Sequence, residues 1–165
     1  MTSVAVIGGG PAGLAAAIAA RQRDLTVTVY EGKPGVIDKA CGEGLMPPAL
    51  KVLAELGVER PPGVPFRGIR YVDGSNAAQA DFSMGPGVDV RRTSLHAALR
   101  ARAAEIGVEV VQKRVGDWSQ DDDGVTVEGR RFDWLVAADG LQSPIRGRLG
   151  LNVDARYPKR LGVRR

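Results

Sequence analysis

The stretch Val4-Ala5-Val6-Ile7-Gly8-Gly9-Gly10-Pro11-Ala12-Gly13-Leu14-Ala15-Ala16-Ala17-Ile18-Ala19-Ala20 decides the fold of this chain. Its first four residues are an apolar run of strand length, its middle is a glycine-rich turn, and its end opens an alanine-rich helix expected to reach about Arg23. Leu25 to Tyr30 then alternates, with Leu25, Val27 and Val29 on one side and Thr26, Thr28 and Tyr30 on the other. Glu31 closes this second strand, so a strand, helix, strand unit is complete by that residue.

Gly8, Gly10 and Gly13 satisfy the spacing G-x-G-x-x-G after a strand and at the start of a helix, the context in which that spacing marks a dinucleotide pyrophosphate site. Each glycine has its own task. Gly8 permits the tight turn, Gly10 lets a pyrophosphate approach without meeting a Cβ, and Gly13 lets the helix pack closely on the sheet. The start of the helix adds unpaired N–H groups and a partial positive charge. Ala16, Ala17 and Ala20 continue the thin face. Glu31 is placed to accept hydrogen bonds from the hydroxyls of an adenosine ribose, and its charge would repel a 2′-phosphate, which disfavours NADP at this position. The turn alone serves FAD and NAD equally, because both carry an ADP half.

Beyond this unit, Gly32 to Gly44 is a turn-rich loop, and a helix is expected from Pro47 or Pro48 to near Gly57. Pro61-Pro62-Gly63 breaks the chain. Short strands are expected over Gly68 to Val72 and Ala77 to Phe82, and a helix over Thr93 to Ile106 presents Leu95, Leu99, Arg102 and Ile106 on one side, with Arg102 snorkelling. Val108 to Gln112, Val115 to Ser119 and Val125 to Glu128 read as strands, with Asp121 to Gly124 as the turn between the last two. Trp134 to Ala138 is a further buried strand. It runs into Asp139-Gly140, after which Ser143 reads as an N-cap and Pro144 as the first residue of a helix. Two strands thus end in glycine-containing turns that feed helices, and in an open parallel sheet both turns belong on the edge where ligands bind.

The composition, 44% hydrophobic and 25% charged over 165 residues, is that of one ordinary globular domain. The longest apolar run, Leu14 to Ala20, is too short to cross a membrane, and the N-terminus lacks the charged and apolar regions of a signal peptide, so the expectation is a cytoplasmic protein without an integral membrane segment. Cys41 is the single cysteine and His96 the single histidine, which leaves no internal disulfide, no metal-ligand cluster and no Cys/His nucleophile pair. The net charge of +4 comes from Arg156, Lys159, Arg160, Arg164 and Arg165 near the C-terminus. These read as a solvated end, so no nucleic-acid partner is expected. His96 lies one position past the apolar side of its helix with no acid paired to it in sequence and reads as packed or solvated, without a catalytic role. Asp121 to Asp123 lacks the remaining positions of a calcium loop and reads as a solvated turn.

Three further segments carry a resemblance. Phe132 to Arg146, ending in Ala138-Asp139-Gly140-Leu141-Gln142-Ser143-Pro144-Ile145-Arg146, resembles the ADG-x-x-S-x-x-R signature of the para-hydroxybenzoate hydroxylase type of flavoprotein. Lys39-Ala40-Cys41-Gly42-Glu43-Gly44-Leu45 resembles the C-G-(D/E)-G-L segment of the geranylgeranyl reductase branch of that superfamily. Arg92-Thr93-Ser94-Leu95 is similar to the arginine-led helix start that lies between the two signatures in the same proteins. Together with the N-terminal turn, the similarity spans essentially the whole chain in the right order.

What the resemblance implies is an α/β fold, a Rossmann-like three-layer domain over residues 1–165 that binds FAD, with a small β-element inserted between about 66 and 90. It implies that Gly8, Gly10, Pro11, Ala12 and Gly13 hold the FAD pyrophosphate and Glu31 its ribose. It further implies that Cys41 and Gly42 lie near the flavin, that Arg92 touches the cofactor, that Val115 offers backbone contact near the adenine, and that Asp139 and Gly140 sit near the pyrophosphate. Cys41 reads equally as a packing residue, Arg92 as a surface residue near a helix start, Val115 as a core strand residue and Asp139 as a turn residue. The implied activity is that of an FAD-dependent oxidoreductase with NAD(P)H as reductant and a small molecule, isoprenoid or aromatic, as substrate. It would act either as a monooxygenase or as a geranylgeranyl reductase-like enzyme. Two rivals are a non-catalytic nucleotide-binding module and an NAD-dependent dehydrogenase, for which no catalytic acid or base can be placed.

The Gly-Asp signature of this family lies well beyond the position of Arg146, after the strands of the substrate site, and the sequence stops at Arg165, so the expectation is a C-terminally truncated domain whose Tyr157 to Arg165 leads into a missing substrate portion. The 165 residues alone are accordingly expected to bind FAD weakly. A flavin titration by absorbance checks this, and tight stoichiometric uptake would contradict it.

Overall fold

A computed structural model describes residues 1–39, 41 and 43–153. Gly42 and the segment Tyr157 to Arg165 singled out in the sequence lie outside the described residues. The chain runs β1 (Ser3–Ile7), α1 (Pro11–Arg21), β2 (Thr26–Tyr30), β3 (Gly44–Leu45), α2 (Pro47–Glu55), β4 (Val64–Phe66), β5 (Gly68–Asp73), β6 (Asn76–Asp81) and β7 (Gly87–Asp89). It continues with α3 (Arg92–Glu105), β8 (Glu109–Val111), β9 (Trp118–Asp121), β10 (Gly124–Val127), β11 (Arg130–Phe132), β12 (Trp134–Ala137) and α4 (Pro144–Arg148).

Four parallel strands form the central sheet in the order β12-β1-β2-β8. Parallel pairing buries both faces of the middle strands, and this is why β1 is a continuous apolar run. Val4, Val6, Val27 and Val29 face α1 and α3, where they share a core with Leu14, Ile18, Leu99 and Ala103. Ala5, Ile7 and Tyr30 face the opposite side, against Trp118, Val125, Val127 and Phe132 of the antiparallel sheet β11-β10-β9. The expected α/β three-layer arrangement is therefore helices, parallel sheet and antiparallel sheet. Phe132 is the largest fully buried side chain and meets Tyr30 edge to face at 6.3 Å between ring centres. Thr28, on the same side as Tyr30, is fully buried and donates to Glu109 Oε2 at 2.7 Å, an oxygen that also accepts from Arg130 Nη1 at 2.7 Å. That oxygen ties β2 and β8 of the central sheet to β11.

Several boundaries differ from the sequence reading. The strand expected over Val115 to Ser119 is Trp118–Asp121 instead, and Val115 lies in the preceding irregular segment, half-buried against the Trp118 and Phe132 core. The hairpin turn shortens with it to Asp122-Asp123. β11 was not expected. It follows a two-residue turn at Glu128 (φ 50°) and Gly129 (φ 80°), where positive φ at both positions gives the turn twist that antiparallel strands favour. β3, β7 and β4 form a second antiparallel sheet in that order, and β5 pairs with β6 as a separate hairpin. Arg102 does more than snorkel: its Nε donates to the Leu56 carbonyl at the end of α2 at 3.0 Å.

Helix α1 packs closely on the turn before it. A Cβ on Gly13 would lie 1.8 Å from the Gly8 carbonyl oxygen and 3.2 Å from the Ala138 Cβ. Gly8 itself has φ +107°, and a Cβ there would lie 2.2 Å from the Ala138 carbonyl oxygen. Neither neighbour is a movable side-chain tip, so Gly13→Ala must push α1 off the sheet. We expect the substitution to lower the unfolding free energy by about 3 kcal/mol, the upper end of overpacking costs, read from the urea midpoint; an unshifted midpoint would refute the contact.

Candidate cofactor site

β1, β2 and β12 run in the same direction, so their C-terminal ends share one edge of the sheet. The ladder extends one bond beyond each strand: Gly8 N–H donates to the Tyr30 carbonyl at 2.9 Å, Ala138 N–H to the Ile7 carbonyl at 2.8 Å, and Glu31 N–H to the Val111 carbonyl at 3.0 Å. From β1 the chain crosses to β2 on one side, while β12 pairs on the other. The crevice between β1 and β12 is thus the point where strand order reverses, the usual ligand position in such sheets. The glycine turn and the Asp139 turn both open onto it.

Within the turn, Gly10 is the residue before α1, with φ −72° and ψ 178°, and no side chain caps the helix. The Gly10 N–H has no hydrogen-bond partner among the described residues. The nearest atom to a Cβ built on Gly10 is Arg92 Nη2 at 4.0 Å, so the space that Gly8 and Gly13 lack is open here. Arg92, the first residue of α3, is buried at 7% exposure, and its Nη1 is fully buried without a hydrogen-bond partner among the described residues. A buried guanidinium nitrogen left unpaired is costly, and one beside an open helix N-terminus is what an anion would satisfy. Arg92 is thus a buried residue rather than a surface one. Its backbone N–H donates to Glu43 Oε1 at 3.3 Å, which ties the start of α3 to the Cys41 loop.

Glu31 is drawn into the turn. Its Oε2 accepts from Gly9 N–H at 2.9 Å and its Oε1 from Lys33 N–H at 2.8 Å, leaving each oxygen one lone pair. A Cβ on Gly9 would lie 2.9 Å from Glu31 Cβ, so the glycine outside the G-x-G-x-x-G spacing is also held bare by packing.

The segment after β8 passes the same corner. A Cβ on Gly32 would lie 2.9 Å from Arg114 Cβ, which brings the neighbourhood of Val115 to the Glu31 end of the edge. Asp139 is half-buried and its Oδ2 accepts from Ile145 N–H at 3.3 Å, while Ser143 Oγ accepts from Arg146 N–H at 3.0 Å, the N-cap expected from sequence. Arg146 folds back to the Leu141 carbonyl at 2.7 Å and to Asn152 Oδ1 at 2.9 Å. The A-D-G-x-x-S-x-x-R segment is therefore internally stapled at Asp139, Ser143 and Arg146. Gly140 has φ +95°, and a Cβ on it would lie 3.9 Å from Lys39 Nζ, so the Asp139 turn and the loop after β2 meet there. Cys41 is exposed, and its Sγ accepts from Glu43 N–H at 3.5 Å.

His96 is the residue that sequence reasoning undervalued. It is fully buried, Nδ1 accepts from Ile37 N–H at 3.1 Å, and Nε2 lies 2.7 Å from the Gly9 carbonyl oxygen. Burial holds its pKa below the usual 6.5; Arg92 and Arg100 act the same way, and the Gly9 bond and Glu31 oppose them. The signal was its spacing from Arg92, one helical turn on α3, which puts both side chains on one face. Away from this edge, an open cleft of about 630 Å³ lies between the Gly57 to Pro62 loop and the outer side of α3 and includes none of the residues above.

Residues 1–161 match the family model described as FAD binding domain. The FAD-dependent monooxygenase OpS4 of Beauveria bassiana is 36% identical over 87% of this chain and 38% of its own length. Menaquinone reductase of Mycobacterium tuberculosis is 31% identical over 89% of this chain and 40% of its own length. Among solved structures, p-nitrophenol 4-monooxygenase PnpA from Pseudomonas putida matches with a TM-score of 0.76 at 25% identity, over 91% of this chain and 44% of that one. The chain spans about two fifths of the length of the curated relatives it matches. With the glycine turn, the buried Arg92 and the Asp139 turn converging on one sheet edge, and with this family matched over nearly its whole length, the chain belongs to the FAD binding domain family, among flavoproteins of the para-hydroxybenzoate hydroxylase type.

Proposed function

We propose that the chain holds the ADP half of FAD at this edge, as the cofactor-binding part of an NAD(P)H-dependent monooxygenase acting on a small aromatic molecule. The observation that carries the reading is the buried Arg92 guanidinium, its Nη1 without a partner among the described residues, beside the open Gly10 position at the start of α1. In this reading Gly8, Gly10, Pro11, Ala12, Gly13 and Arg92 hold the pyrophosphate, and the remaining lone pairs of Glu31 take the ribose hydroxyls. The backbone at Val115 lies by the adenine, Asp139 and Gly140 flank the pyrophosphate, and Cys41 lies on the flavin side. Residues 1–165 then form the FAD-binding unit, with its β-element inserted at about 66 to 90.

When bound, FAD supplies the redox chemistry, taking two electrons from a reduced nicotinamide and passing them to dioxygen or to a substrate double bond. The residues described here do the binding and the aiming. Arg92 and the N-terminus of α1 neutralise the phosphates without solvent. Glu31 rejects a nucleotide carrying a 2′-phosphate. The Ser143 and Arg146 bonds keep the Asp139 turn in one conformation.

A second reading rests on the Cys41 to Leu45 segment and on the relatives that are menaquinone reductases: alkene reduction of an isoprenoid instead of hydroxylation. An NAD(P)H oxidation assay on the complete protein separates the two. Aromatic acceptors with matching oxygen uptake support the monooxygenase; isoprenoid acceptors reduced without oxygen uptake support the reductase.

The site reading itself makes a sharper prediction. Arg92→Met removes a charge-assisted contact to phosphate, so affinity for FAD is expected to fall about tenfold to a hundredfold. Because the same change removes an unpaired buried nitrogen, the ligand-free protein should be no less stable. Gly10→Ala should cost less than about 1 kcal/mol in folding while weakening FAD at least about tenfold. Calorimetric titration and urea unfolding of each variant check both halves, and unchanged affinity in both would refute the site.

A further inference from the structure

The Gly9 residue is gripped at both ends. Glu31 Oε2 takes its N–H at 2.9 Å, and His96 Nε2 stands 2.7 Å from its carbonyl oxygen. The two partners of His96 fix the tautomer without ambiguity. Ile37 N–H can only donate, so Nδ1 is unprotonated; the Gly9 carbonyl can only accept, so Nε2 carries the hydrogen. A peptide unit is planar and trans, with its C=O and N–H pointing in opposite directions. Fixing the Gly9 carbonyl toward His96 therefore fixes the Gly10 N–H of the same unit away from it, on the side where that N–H has no partner among the described residues.

We propose that His96 is the positioning residue of the phosphate-binding turn: its Nε2–H holds the plane of the peptide between Gly9 and Gly10 so that the Gly10 N–H is presented to the cofactor. The proposal rests on the FAD reading of this edge. His96 touches neither the cofactor nor a reacting atom in it and acts through Gly9. The second bond, from Ile37, anchors the loop after β2 to the same imidazole, so one side chain on α3 sets the relative placement of two loops.

The arrangement requires the neutral ring. A proton on Nδ1 would face the Ile37 N–H, donor against donor. The charged groups facing the ring are Arg92 and Arg100 on its own helix, which oppose protonation, and Glu31 at the end of β2, which favours it. The lowered pKa means that the unfolded chain takes up the proton first. The stability that the neutral ring contributes is whole above pH 6.5 and is lost as pH falls below that value toward the folded pKa.

His96 is the chain's single histidine, so its imidazole can be read directly by nitrogen NMR. The wild-type protein at pH 7.5 is expected to show the Nε2–H tautomer, free and with ADP bound, and a titration midpoint below 6.5. A ring protonated on Nδ1 at that pH overturns the proposal whatever the variants do. Substitution supplies the second readout. His96→Gln can place an amide N–H where Nε2 stands, and is expected to keep ADP affinity within about threefold. His96→Asn can accept from Ile37 but is too short to reach Gly9, and is expected to lose about tenfold, with the Gly10 amide no longer the resonance most shifted by ADP. Equal affinity in wild type, Gln and Asn variants refutes the positioning role while leaving the nucleotide site standing. Failure of the wild-type protein to bind either ADP or FAD overturns the FAD reading, and this proposal with it.

Discussion

Everything at the functional edge depends on the absence of side chains between α1, the end of β1 and the end of β12. Gly8 and Gly13 let three backbone segments approach to distances that no Cβ allows, and the Ala138 carbonyl sits in the space that a side chain on Gly8 would fill. This contact sets the height of α1 above the sheet. It also places the helix N-terminus at the crevice between β1 and β12, so the same bare backbone that packs the fold also leaves room at the proposed anion site. The remaining glycines of the turn divide the work differently: Gly9 is bare to admit Glu31, whereas Gly10 is bare with nothing from the protein against it.

The central unit was legible because its signals are local and redundant. Val4 to Ile7, the glycine spacing, the alanine-rich helix and Glu31 all lie within one short stretch, and each predicts the same geometry. Arg92 and the Asp139 turn were singled out through resemblance, and the structure shows a buried guanidinium in the first case and an internally stapled loop in the second. The antiparallel pieces were less readable. β3, β4 and β7 are two or three residues long, pair across large sequence separations and include Pro65, so neither periodicity nor turn chemistry announces them. β11 could have been found from the Glu128-Gly129 turn. Val115 was misplaced because its apolar character reflects packing on the Phe132 core from an irregular segment, which looks the same in sequence as a strand position.

His96 shows a different limit. Its partners are two backbone groups, the Ile37 amide and the Gly9 carbonyl, each more than fifty residues away, and backbone partners leave no trace in residue identity. A search for an acid paired with the histidine could not succeed. Its place one turn after Arg92 on α3 marks the helix face that looks onto the turn, and that face carries both the charge for the ligand and the prop for the loop.

The unpaired nitrogen of Arg92 has a consequence for the life of the protein in the cell. If an anion pairs with it as proposed, ligand binding and folding draw on the same free energy, and the folded fraction would rise with ligand concentration. A chain made when its nucleotide is scarce would open more often and meet proteases more often than the same chain made in plenty. Occupancy of the edge and resistance to unfolding would then be two readings of one equilibrium.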